Sequence, residues 1–137
     1  MRKSEIPRDL NWVKTRAECT LSRIFKQLHD EIVVDIAMRS DNLSESHKAA
    51  KISFELKEEG NESFAVYRNG TGMTTGITFS IAGTNITVMN GRGDIFLQAT
   101  VGLNNDGRCM LRRGDVDLET WQFRKEALED LFFWPTV

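Results

Sequence analysis

Between Ile52 and Arg112, apolar and polar side chains alternate with period two in one short run after another. That alternation limits the possible folds more than any other feature of the chain. Ile52, Phe54 and Leu56 alternate with Ser53, Glu55 and Lys57; Ile77, Phe79 and Ile81 with Thr78 and Ser80; Ile86 and Val88 flank Thr87. Ile95, Leu97, Ala99, Val101 and Leu103 alternate with Phe96, Gln98 and Thr100, Cys109 and Leu111 with Met110 and Arg112, and Phe64 and Val66 carry a shorter run. Successive side chains of a strand point to opposite faces, so these runs are strands with one buried face and one wet face. Gly60-Asn61, Asn69-Gly70, Gly83-Thr84-Asn85, Asn90-Gly91 and Asn105-Asp106-Gly107 separate them. Asn-Gly and Asp-Gly supply the positive φ of tight hairpins, and the gaps are shorter than the dozen or so residues a parallel crossover needs. An antiparallel meander of about six strands is expected, with residues 69–76 as a Gly/Thr loop.

A helix is expected on each side of the meander. From Trp12 to Met38 the residues Ala17, Leu21, Ile24, Phe25, Leu28, Ile32 and Ile36 recur at steps of three and four, which places them in one stripe of a single long helix. Asp9 or Asn11 can cap its start, and the polar stretch after Arg39 ends it. At the other end Asp117 suits an N-cap, with Val116 and Trp121 as a hydrophobic staple, and Pro135 closes the element. Leu118, Trp121, Phe123, Ala127, Leu128, Leu131 and Phe132 form an apolar arc broad enough for burial on two sides. One apolar sheet face and two apolar helix stripes make a two-layer α+β domain spanning residues 1–137, both helices on one face and the other face open. Residues 1–8 are expected to be a disordered N-terminal segment.

Several function classes are disfavoured. A formal net charge of −2 in 137 residues gives no general attraction to nucleic acid or anionic membrane. The N-terminus is charged and interrupted by Pro7, without the apolar core of a secretory signal, and no run approaches the ~18 apolar residues of a membrane span. A cytoplasmic setting is expected, in which Cys19 and Cys109, far apart and outside any CxxC grouping, read as reduced thiols. Sequons at Asn42, Asn61, Asn69 and Asn85 then reflect turn Asn and sheet Thr.

The Arg-Gly-Asp tripeptides at residues 92–94 and 113–115 read the same way. Gly and Asp are what the corner between strands four and five, and the step from the last strand to the final helix, select. The two histidines, His29 at the edge of the first stripe and His47 in a polar loop read as solvated, stand near no nucleophile in sequence. His29, Asp30 and Glu31 are consecutive and so point in different directions, and "GTGMTTG" lacks the P-loop order. No metal and no cofactor are expected.

Two positive signals remain. Asp35 falls inside the apolar stripe of the first helix, where a carboxylate is either a ligand anchor or the partner of an arginine. Trp12, Val33, Val34 and Met38 lie off that stripe, Phe96 faces outward, and Phe133 and Trp134 end the chain. An apolar patch left exposed usually marks an interface. The expected function is a non-catalytic protein-association module, homodimeric, through Trp12, Phe96, Phe133 and Trp134. The alternative is a small-molecule binder or weak enzyme, with Asp35 anchoring a ligand between the sheet and the last helix. A nucleic-acid module is disfavoured by the Ser/Thr/Glu-bearing sheet face.

Overall fold

The computed structural model describes residues 11–70 and 73–133. Residues 1–8, Trp134 and Pro135 therefore lie outside the described residues. The alternating runs become an antiparallel sheet in sequence order: β1 (Ser53–Glu58), β2 (Ser63–Gly70), β3 (Met73–Ala82), β4 (Asn85–Met89), β5 (Ile95–Leu103), β6 (Cys109–Arg113) and β7 (Val116–Leu118). There are seven strands where the sequence suggests about six. The addition is β7, three residues folded back on β6 with Leu111 opposite Leu118.

Of the stretch expected as a loop, residues 69–70 and 73–76 are strand. β2 and β3 continue their pairing as far as Gly70 opposite Met73. Gly76 has a packing reason to lack a side chain, because a Cβ there would approach the ring of its cross-strand partner Tyr67 to 2.7 Å.

Pairing places Phe64, Phe79, Val88 and Leu97 in one row across four strands, all buried on the inner face. Phe64 stacks on Phe79 and meets Phe25 from the helix over Leu21–Asp41, each pair with ring centroids 5.0 Å apart. The opposite face is polar: Ser80 and Thr87 hydroxyls share a 2.9 Å hydrogen bond, and Arg112 pairs with Asp117 at 2.8 Å. Ile95, expected inward, is exposed, since the register slips between Val88 and Met89 beside it.

Both long helices pack on the inner face. The expected single N-terminal helix is two, α1 (Trp12–Glu18) and α2 (Leu21–Asp41). Asn11 caps the first through Lys14 N–H, and Thr20 caps the second through Arg23 N–H. Ile24, Phe25, Leu28 and Ile32 enter the core as the stripe requires, whereas α1 buries no residue and Ala17 is exposed.

The break coincides with a disulfide. Cys19, at the end of α1, is bonded to Cys109 at the start of β6, which overturns the reading of two separate reduced thiols. A short helix, α3 (Glu45–Ala49), follows α2 and buries His47, with its Nδ1 2.7 Å from the Ser44 hydroxyl. His47 is thus not the solvated loop residue expected.

The final helix, α4 (Thr120–Phe133), starts later than its sequence signals suggest, because Asp117 belongs to β7. Glu119 takes the capping position: its carbonyl accepts from Gln122 and Phe123 N–H, and its own N–H donates to Gln122 Oε1 at 2.8 Å. At the other end Arg39 Nε donates to the Phe132 carbonyl at 2.7 Å and Arg68 Nη1 to that of Leu131 at 3.2 Å. Two cations thus satisfy carbonyls that the helix leaves open and face the negative end of its dipole.

Candidate association surface

Where α2 and α4 lie side by side, their solvent-facing residues enclose an open groove of about 600 Å3. Leu128 and Phe132 of α4 form its buried floor. Met38 of α2 and Trp121 and Phe133 of α4 rim it, and they remain 61%, 53% and 49% exposed. Three large apolar groups left open around one cleft form the kind of exposed patch that on a monomer is often functional.

Arg124 of α4 reaches across to two carboxylates of α2. Arg124 Nη1 donates to both Asp35 oxygens, at 2.7 and 2.6 Å, and Arg124 Nε stands 3.4 Å from Glu31 Oε1. Asp35 is therefore partnered and half-buried, at the junction of the two helices rather than between the sheet and α4. A turn further on, Lys125 bonds Glu129 at 3.0 Å. Arg39 closes the far end, its guanidinium 4.3 Å from the centroid of the Phe133 ring. Burial, with Arg68 nearby, pulls Arg39 below its ordinary pKa.

The residues expected to form an interface are not gathered in one place. Phe133 belongs to the groove. Trp12 stands exposed on α1, whose end is tied to β6, and Phe96 is exposed on the outer face of β5. Trp134 lies outside the described residues. Sequence reasoning missed Trp121 as a surface residue, having assigned it to the buried arc, and missed Arg124 as the partner of Asp35.

Other features resolve into structure. His29 lies between two carboxylates, Nδ1 3.0 Å from Asp30 and Nε2 3.2 Å from Glu58, with its ring edge-on to Phe64. The contact with His29, with Lys26 adding, holds the Asp30 carboxyl below its usual pKa. Residues 92–94 lie in the β4–β5 turn, where Asn90 Oδ1 accepts from Arg92 and Asp94 N–H and Gly93 takes φ +85°. Residues 113–115 lie at the β6–β7 turn, not at the step into α4, with Gly114 at φ +62° and Arg113 paired with Glu126. Among the described residues no group of three or more His, Cys, Asp or Glu could hold a metal ion, and no helix is long and apolar enough to cross a membrane. Compared with protein-family models, curated proteins and solved structures, the chain matches none of them.

Proposed function

We propose that this chain is a non-catalytic protein-association module that works as a homodimer through the groove between α2 and α4. The observation that carries the reading is the cleft rimmed by Met38, Trp121 and Phe133, each about half exposed or more over an apolar floor. Its charges are of both signs and close together: Asp35 with Arg124, Lys125 with Glu129. Such paired charges leave no large field of one sign at the cleft to repel a second copy, and two-fold dimers are the commonest assemblies. Seating each large apolar side chain against the copy contributes about 1.5–3 kcal/mol before the cost of association.

The test is light scattering over a dilution series of the wild-type protein and of Trp121→Ala and Met38→Asp. The wild type is expected at twice the chain mass at micromolar concentration, and each variant is expected to dissociate at least tenfold more readily. A wild type that is monomeric at the highest concentration sinks the proposal.

A second reading keeps the same cleft for a small amphipathic ligand, since 600 Å3 is within the range of ligand pockets. Here Asp35 and Arg124 would orient the polar end of the ligand. Native mass spectrometry of freshly purified protein separates the two readings, because a co-purified small mass on the monomer favours the ligand. A cytoplasmic setting now carries a condition: thiols there are kept reduced, so the Cys19–Cys109 bond would form only transiently.

A further inference from the structure

The chain bends where its sequence contains no breaker. Neither Gly nor Pro lies between Trp12 and Met38, and the apolar periodicity runs through Cys19 and Thr20 without interruption. Yet the helix stops at the residue whose Sγ is bonded to Cys109, and Thr20 then starts α2 as its N-cap. α1 has little else to hold it. It buries none of its residues, and among the described residues its hydrogen bonds all stay within residues 11–19.

Of the two bonded residues, Cys109 is the more open. Cys19 is 3% exposed, whereas Cys109 is only partly buried and lines an open surface groove beside Ser22, Arg23 and Lys26.

We propose that Cys19–Cys109 is a reversible thiol–disulfide latch governing this bend. With the bond closed, α1 is a separate arm turned at Cys19. With it open, α1 and α2 run on as one continuous helix and Trp12 and Val13 are carried to new positions.

The exchange balances with a small dithiol as reductant. One of its thiolates attacks the Cys109 sulfur, forming a mixed disulfide there and releasing Cys19 as a thiolate that takes up a proton. The second thiolate of the dithiol attacks the reagent's own sulfur, releasing Cys109, which is protonated in turn; two electrons and two protons pass to the protein. A low-molecular-weight disulfide closes the latch by the reverse exchange, leaving as two thiols.

The full chain, labelled with carbon-13 and nitrogen-15, tests this by NMR before and after dithiothreitol and after return to excess oxidised glutathione. On reduction the Cys19 Cβ shift is expected to move to the thiol range, and the Cys19 and Thr20 Cα shifts to helical values, all three returning on oxidation. Cys19→Ser/Cys109→Ser should show the helical Thr20 shift without reductant. Thr20→Ala with the bond intact should keep the bend.

Four results would overturn the latch. Thr20 could stay non-helical in both the reduced protein and the double serine variant. Thr20→Ala alone could straighten the helix, making the cap and not the bond responsible. Two free thiols could persist in excess oxidised glutathione. The Phe64 and Phe79 amide signals could collapse on reduction, which would make the bond a staple of the whole fold.

Discussion

Tyr67 is the only tyrosine of the chain, so its ionisation can be followed without ambiguity. It lies across Gly76 on the outer sheet face, and its hydroxyl donates to Glu59 Oε2 at 3.2 Å. Burial raises its pKa, and the nearby charges of Glu59 and Glu55 raise it further. An absorbance titration at 295 nm is expected to show a midpoint above that of a tyrosine peptide, about 10, and Glu59→Gln should move it part of the way back. A group whose pKa is higher in the folded state stabilises the fold below the unfolded pKa. That contribution is lost as pH rises through the folded value, so stability should fall off above about pH 10 less steeply in Tyr67→Phe than in the wild type. Asp35 shows what one residue's sequence position can and cannot reveal. Its place in the apolar stripe was legible, and so was the choice between a ligand and an arginine. The identity of Arg124, 89 positions away, was not, because that contact depends on how two helices cross. Asp35→Asn should lose about 1–2 kcal/mol in urea denaturation, between the values for exposed and buried pairs, since Arg124 keeps Glu31.

At the level of elements, period-two runs marked every strand of five or more residues, though the end of β2 and the start of β3, rich in Gly and Thr, read as loop. β7 has three, too few for a period to emerge, and its Asp117 resembled a helix cap because Asp suits either role. The join of α1 and α2 was hidden for a related reason. Thr20 inside a continuous apolar stripe reads as one more helical residue, and its capping bond from Arg23 N–H is visible only in the fold. Thr20→Ala is expected to lower stability by about 1 kcal/mol, measured by thermal unfolding in oxidising buffer, with α2 starting later. The groove, by contrast, has no linear signature. Met38, Trp121 and Phe133 come from two helices separated by the entire sheet in sequence, and their exposure depends on the angle at which those helices settle. Phe96 remains an exposed aromatic on the polar face of β5, and nothing in the structure pairs it with the groove.

For the molecule as a whole, the helix layer and the disulfide join what the sheet keeps apart. The bond spans 90 positions, and in the loop-entropy estimate a crosslink of that reach adds about 4–5 kcal/mol. Cys19→Ser/Cys109→Ser should therefore shift the urea midpoint downward while the refolded protein keeps its core. Phe64→Ala, which removes the buried ring lying between Phe25 and Phe79, should lose about 3–5 kcal/mol. The order of the strands has a further consequence. Every strand pairs with its sequence neighbour, so each hairpin can close as soon as its second half leaves the ribosome, with no wait for distant chain. The helix that covers one side of the finished sheet, α4 (Thr120–Phe133), is synthesised after all seven strands. A nascent chain thus passes through a stage in which its strands are already zipped while part of their greasy side is bare, and that interval is when a chaperone would have most to do.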